Sequence, residues 1–560
     1  MTERIQSQSP ISRVMKVADG EFAAVSEGRI RIRIGAIIFL AALFLAVVRL
    51  AEVALFSPGD SRYFNTQFAT PQRADIVDRN GEVLATTLAT YALYARPKYV
   101  WDADATASEL VNIFDDLDRI DLLEKLNRER DQVLIKRGLT PKEHQQVFSS
   151  GLPGMLFQAE PQRVYPRGHL GAHLVGFTDV DMVGLAGAER AFNDRLSTPN
   201  APAVSLSLDL RLQNVLHEEL QRSLDYFQAK SNAGVILNIK NGEILAMASL
   251  PNFDPNSPST ISPQNLYNHA SMSTYELGSV FKPITMAMAL ENDITDLRET
   301  FPAHLPLKVR DKFIRDDHPS DVPLAMPDIL AQSSNRGTAL IAQKAGGEIQ
   351  QSFLASLGLM DRVDIELNES AKPQLHTEWQ DITTVTVSYG HGIAVTPLAL
   401  SVAVGALLNG GEYIAPTILV RDTANPMEKK RVVSAATSQT VKDLMRYVAT
   451  NGTGRNARVR GYGVMGKTGT ADKPDAEGYD ERRLVSSFVA AFPYEDPTYL
   501  VFITLDEPQA TAETYGYATA GWTAAPAAGK VIERIAPMLG VPQRLDPVAY
   551  SPFSNTGALR

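Results

Sequence analysis

The pattern of apolar and polar positions divides the chain into stretches with different periods. Residues 34–56 are apolar apart from Arg49 and Glu52, and a helix of that length spans a bilayer. From Arg73 to Ala85 the pattern reads strand, Asn80-Gly81 turn, strand, and Thr90–Tyr94 is strand-like again. Residues 103–147 read as helices with charged faces, one of them over Ile120–Glu129. A helix capped by Ser207 or Asp209 begins near Leu210. The clearest hairpin is Ala233–Ser249, where two apolar runs flank Asn241-Gly242. Helical spacing dominates residues 275–450. Strand patterns return at Gly463–Thr470, Leu484–Phe492 and Tyr499–Leu505, and a last helix covers Ala525–Leu539.

Strands at both ends of the C-terminal half, with helices between, predict an α/β domain. Its mixed sheet is built from the first and last segments and flanked by helices, with a helical lobe beside it. The divisions expected are a polar tail (1–33), a single transmembrane helix (34–56), an elongated α+β pedestal (57–205), a catalytic domain (206–545) and a C-terminal tail (546–560). Arg29, Arg31 and Arg33 precede the apolar run, which places the N-terminus in the cytoplasm and everything after Phe56 outside it. The run is long for a cleaved signal peptide, and no small-x-small site follows before Ser57-Pro58. Arg49 and Glu52 share one helix face. They either snorkel to the interface or make a polar contact with another membrane protein.

Composition narrows the chemistry. At 560 residues with 44% apolar content, the chain is long enough for two or three cored domains. It has no cysteine, which excludes disulfides, thiol nucleophiles and thiolate metal sites. A formal charge of −10 argues against nucleic acid as the main partner. His169 and His173 have a possible ligand spacing, but they lie in a Gly-rich loop, and no metal site is assigned.

Three short patterns carry candidate chemistry. In Gly278-Ser279-Val280-Phe281-Lys282-Pro283 a hydroxyl and an amine stand three apart, on one face of a helix start. Free N–H groups there favour an oxyanion, and the lysine can act as base if burial lowers its pKa. Such a pair should occur about once by chance in a chain this long, so alone it reads more readily as an ordinary exposed helix turn. Ser333-Ser334-Asn335 lies on a turn between helical stretches, where it either caps a helix or presents a hydroxyl and an amide into a cleft. Lys467-Thr468-Gly469-Thr470 lies on a strand, either solvent-facing or with Gly469 leaving room for another backbone.

In this order the three patterns form the set of the penicillin-recognising serine enzymes. The chain resembles the class B penicillin-binding proteins, monofunctional peptidoglycan D,D-transpeptidases, over nearly everything from the anchor to about residue 540. Arg73–Ala85, Tyr165–Glu189 and Ser207–Gln213 resemble the family's pedestal motifs, and Tyr389-Gly390-His391-Gly392 and Gly461-Tyr462 its catalytic-domain motifs. The Tyr-Gly-His-Gly form is most similar to the division-specific member. Leu277 stands where Pro is usual, His269 where Arg is common, and Ala186 where an acid is often found.

The resemblance implies that Ser279 is the nucleophile, Lys282 its base, Ser333 the proton relay to the leaving D-alanine and Lys467 a source of positive charge. It also implies that Asn335 binds the substrate peptide, that Thr468, Gly469 and Thr470 form the edge receiving the terminal carboxylate, and that no cofactor is needed. Implied partners are stem peptides of peptidoglycan and lipid II-derived strands, β-lactams, and a polytopic lipid-II polymerase with other division proteins. Two alternatives share the pocket: a serine β-lactamase, which needs a residue that activates water, and a non-catalytic scaffold or sensor.

Overall fold

The computed structural model describes residues 33–49, 73–422, 427–474 and 479–544. The chain forms two compact units, divided at Thr70. In the first, residues 33–49 are helical and their large apolar side chains are exposed, Phe44 at 68%. Among the described residues no helix is long and apolar enough to cross a membrane. The rest of the expected span, residues 50–56 with Glu52, lies outside the described residues.

The second unit begins with the pedestal. Strands β1 (Ile76–Val77) and β2 (Val83–Ala95) pair antiparallel around the Asn80-Gly81 turn, where Gly81 takes a positive φ of 87°. Thr90–Tyr94 is part of β2 rather than a separate strand. β2 is long because it serves three partners: β1, β3 (Val133–Leu139) and β4 (Met155–Val164), with β5 (Val204–Ser205) on the far side of β1. The sequence reading of 103–147 as helices is therefore corrected. Helices α1 (Ala103–Ile113), α2 (Arg119–Leu126) and α3 (Pro141–Ser150) are present, capped by Asp102, Asp118 and Thr140, but β3 interrupts them. Val133, Ile135 and Leu139 are buried at strand alternation, a period masked by the charged run 128–131 before it. β4 was not anticipated either, because its large apolar residues, Val164 apart, are confined to Met155–Phe157 and the polar run that follows shows no alternation.

The pedestal motifs are tied together by buried charge. Arg73 Nε donates to Glu189 Oε2 at 2.6 Å and Arg163 Nε to Glu189 Oε1 at 2.7 Å, with all three side chains at most 2% exposed. Arg73 also donates to Met182 O, Asn193 Oδ1 and Ser197 Oγ. Tyr165 Oη accepts from Thr178 N. Asp78 binds its own turn through Asn80 N and Glu82 N and reaches Leu210 N in the next domain. Arg79 pairs there with Glu243 at 3.0 Å.

The catalytic domain is organised on a five-stranded antiparallel sheet. Its strands are β6 (Ser231–Asn238), β7 (Ile244–Leu250), β8 (Met465–Pro474), β9 (Tyr479–Phe492) and β10 (Tyr499–Asp506), in the order β8-β9-β10-β6-β7. First and last segments share one sheet, as the pattern predicts, but all of its pairings are antiparallel, so the mixed sheet expected is corrected. The β6 and β7 runs are continuously apolar because both faces are covered. Ile236, Phe488, Val501 and Ile503 pack with helices α4 (Leu210–Tyr226) and α9 (Ala524–Met538). Val235, Leu237, Val489 and Phe502 pack on the other side with α5 (Lys282–Glu291) and α7 (Pro397–Leu408). Asp209 caps α4; Ser207 instead donates to Ile244 O. The helical lobe contains α6 (Asn335–Ala345) and α8 (Ala435–Asn451), packed with the short helix Met326–Ala331.

Candidate active site

Ser279 sits on a 3-10 turn, Gly278–Phe281, and Lys282 is the first residue of α5. The pair therefore stands at the helix entrance rather than within its first α-turn. Gly278 has φ 59°, and a Cβ there would lie 2.6 Å from Thr470 O. A Cβ on Gly469 would collide with Leu277 O, and one on Gly390 with Gly278 O. Three glycines thus let β8, the serine turn and the Tyr389–Gly392 segment approach backbone to backbone. Gly278 N donates to Gly390 O at 3.2 Å, and Gly392 N donates to Glu276 Oε1 at 3.0 Å. The Tyr-Gly-His-Gly motif is the back wall of the serine turn.

Ser333, Ser334 and Asn335 divide their labour. Ser334 caps α6, accepting from Gly337 N at 3.0 Å. Ser333 has φ 61°, a left-handed conformation that costs a non-glycine residue roughly 1–2 kcal/mol. Both readings of this stretch hold, each for a different residue: Ser334 caps, while Ser333 and Asn335 turn toward Lys282. Lys282 Nζ lies 2.8 Å from Ser279 Oγ, 2.5 Å from Ser333 O, 3.1 Å from Ser333 Oγ and 2.8 Å from Asn335 Oδ1. Lys467 Nζ donates to Ser333 Oγ at 3.0 Å and to Thr468 O at 2.9 Å. One serine hydroxyl is thus shared between two lysines brought from segments 185 positions apart (467 − 282). Gly469 backs the serine turn. The Thr468 hydroxyl lies 2.7 Å from that of Thr453, and Thr470 Oγ1 accepts from Ala520 N at 3.1 Å. All eight expected residues meet in one region.

Residues 233–532 match the family described as the penicillin binding protein transpeptidase domain, and residues 68–201 the penicillin-binding protein dimerisation domain. The chain belongs to the class B penicillin-binding proteins. It is 40% identical to a probable peptidoglycan D,D-transpeptidase FtsI of Caulobacter vibrioides, over 89% of this chain and 86% of that one. It is 33% identical to a probable peptidoglycan D,D-transpeptidase PenA of Neisseria meningitidis, over 83% and 84%. The peptidoglycan D,D-transpeptidase FtsI of Escherichia coli K12 is 28% identical, over 88% and 89%. Among solved structures, a peptidoglycan synthetase from Bifidobacterium adolescentis shares the fold, with a TM-score of 0.65 at 22% identity over 85% of this chain and 96% of that one.

The electrostatics of this penicillin-binding protein follow from burial. Lys282 and Lys467 are each 0% exposed. Burial lowers the Lys282 pKa to about 7, against the raising effect of Asp316 and Asp317. Burial, and then the charge of Lys282, push Lys467 well below its ordinary value. His391 falls to about 4 through burial and the same lysine, and burial raises Tyr389 to about 12.

Two neighbours escaped the sequence reading. Thr453 belongs to Asn451-Gly452-Thr453, which formally matches a glycosylation site; the structure turns its hydroxyl onto Thr468. Asp316 accepts from the Ser334 hydroxyl and from the Asn335 and Arg336 backbone N–H groups, from a loop with no pattern of its own. The histidine pair of the pedestal is separated in role: His173 is buried against Asn265 O and Phe253, and His169 stacks near His217. Among the described residues no group of three or more His, Cys, Asp or Glu could hold a metal. A cavity of about 930 Å³, lined by Arg446, Arg458, Arg460, Glu533 and Arg544 among others, contains none of the eight residues.

Proposed function

We propose that this penicillin-binding protein is a septal peptidoglycan D,D-transpeptidase. In this reading Ser279 attacks the carbonyl carbon between the two D-alanines of a stem peptide and its proton passes to Lys282. The backbone N–H groups of Ser279 and Thr470 receive the oxyanion, each such donor contributing about 3 kcal/mol. As the C–N bond breaks, Ser333 delivers a proton to the leaving D-alanine nitrogen, resupplied from the lysines on either side. Asn335 binds the peptide, and Lys467 with Thr468 and Thr470 attracts the terminal carboxylate beside Gly469. An amine of a neighbouring stem peptide then attacks the ester, releasing Ser279 and forming the cross-link.

The observation that carries the reading is the donor count at Lys282. Ser333 O can only accept. Asn335 Oδ1 also accepts, because its amide nitrogen is engaged with Arg315 O at 2.9 Å. The two N–H groups of a neutral amine suffice for these two oxygens, the Ser333 hydroxyl at 3.1 Å being served by Lys467 Nζ at 3.0 Å, so its lone pair can face the Ser279 hydroxyl as a general base needs. A pKa of about 7 makes that state accessible at neutral pH.

The same reading places residues 34–56 in the inner membrane as a single anchor, with the pedestal and transpeptidase domains outside the cytoplasm at the division site. A lipid-II polymerase and other division proteins engage the anchor and pedestal. The apolar run, the preceding arginines and the likeness to the two FtsI proteins support this. The test is turnover of a D-Ala-D-Ala thioester mimic by the purified full chain with a D-amino-acid acceptor. Cross-linked product is expected. Rapid β-lactam hydrolysis without product would favour the β-lactamase reading, and neither activity would favour a scaffold.

A further inference from the structure

We propose that the arginine-lined cavity beside the approach to β8 is a second peptide-binding site, one that holds the carboxylate-bearing stem peptide of a peptidoglycan strand without reacting with it. This rests on the transpeptidase reading and adds a site to it. The cavity, about 930 Å³, has the size of ordinary ligand sites. It lies where α8, α9 and the turn before β8 meet, and none of the eight expected residues lines it.

Local structure makes the cavity basic. Val459 and Tyr462 pair across a tight turn, Tyr462 N donating to Val459 O at 3.2 Å, and both side chains are buried. Alternation along the chain therefore puts Arg458 and Arg460, on either side of Val459, toward the cavity and solvent. Gly461 takes φ 85°, and a Cβ there would lie 2.9 Å from the Gln543 side chain. Arg544 N donates to Gly461 O at 2.8 Å, so the segment after α9 closes the rim. Arg446, on α8, forms the floor. It is 3% exposed and donates through Nη1 to Val464 O at 2.7 Å, and its guanidinium lies 5.9 Å from the centroid of the Tyr494 ring.

The charge runs against that of the chain and is not balanced locally. Four guanidinium groups stand against one carboxylate, Glu533, in a protein of formal charge −10. Arg544 comes within 4.0 Å of Glu495, an exposed pair of the kind that contributes little. Among the described residues Arg458 donates to a carbonyl, Arg455 O, and none of Arg458, Arg460 and Glu533 has an ion pair. Convergent guanidinium groups bind carboxylate or phosphate oxygens through paired N–H donors. Glu533 decides between the two. A phosphate group brings mainly acceptors, which that carboxylate repels, whereas a peptide brings N–H donors for Glu533 beside a carboxylate for the arginines. The stem peptide of the proposed reaction has this combination: a terminal carboxylate, backbone N–H groups and an acceptor amine. Held here, away from Ser279, a strand stays on the enzyme without entering the reaction.

The experiment is isothermal titration calorimetry on the full chain in detergent, first acylated by benzylpenicillin so that the catalytic cleft is closed to the ligand. The titrant is a soluble stem peptide lacking its last D-alanine. Failure to form the penicilloyl adduct would mean that the transpeptidase reading has failed, and the titration is then read on the unmodified protein. One saturating site is expected, with affinity falling about tenfold in each of Arg458→Gln and Arg460→Gln. Affinity should fall likewise when the carboxylates of the peptide are amidated, which carries the test on the unaltered chain should a variant not fold. Both arginines are exposed, and penicillin acylation is expected to keep the wild-type rate in each variant. No binding to the acylated protein, binding that the substitutions and the amidation leave unchanged, or acylation slowed in step with binding overturns the proposal. Inorganic pyrophosphate binding more tightly than the peptide would make this a phosphate site and overturn the peptide assignment.

Discussion

The pedestal and the catalytic domain each bury charged side chains, and they treat them in opposite ways. In the pedestal Glu189 lies between Arg73 and Arg163, and every charge meets an opposite one at 2.6–2.7 Å. In the catalytic domain the recorded partners of Lys282 and Lys467 are hydroxyl, carbonyl and amide oxygens, all neutral. A paired buried charge stays charged and is costly to break. A buried cation among neutral oxygens has its pKa lowered instead, for Lys282 to about 7. The first arrangement fixes a shape. The second suits the base that the proposed mechanism needs at neutral pH, and its cost in stability is the condition of that reactivity.

Substitutions can separate the two arrangements. The largest effect is expected from Ser279→Ala, which abolishes covalent labelling by penicillin while the melting temperature stays near that of wild type; full labelling would break the assignment of the nucleophile. Next, Lys282→Met should slow acylation by about 10²- to 10⁴-fold yet leave stability equal or higher, because an apolar chain replaces a desolvated amine. Both rate and stability falling together would mean that Lys282 acts as a structural ion like those of the pedestal. Glu189→Ala should do the reverse. It strands two buried guanidinium groups and costs about 3–5 kcal/mol in chemical denaturation, while the folded fraction acylates at the wild-type rate.

The smallest effect is a matter of pH. Lys282 must be neutral to accept the serine proton, and its pKa is held at about 7. Acylation should therefore fall about tenfold per unit below that value and level off above it. Stopped-flow acylation and thermal melts across pH 5–9 would sharpen the contrast.

The catalytic sheet was legible because its strands bury both faces and read as unbroken apolar runs, as in β6 and β7. The three candidate patterns were legible as a set because their residue types are chemically uncommon in that order, and the family followed from them. β3 and β4 were hidden in the pedestal because one face of each meets solvent over short stretches rich in Lys, Arg, Gln and Glu. Asp316 was hidden for another reason. Its three bonds go to backbone and hydroxyl groups of a segment that only the fold brings near, and no local period announces such a contact. The same holds for Gly278, Gly390 and Gly469: each is visible in the sequence as a glycine, but only the crossing of three backbones explains why no side chain fits.

The most direct test of the account is peptide mass spectrometry of the full chain after brief exposure to benzylpenicillin at neutral pH. The account predicts a single penicilloyl adduct on the peptide containing Ser279, lost in Ser279→Ala and much slower to form in Lys282→Met. An adduct on any other residue, or none in a folded preparation, would contradict it.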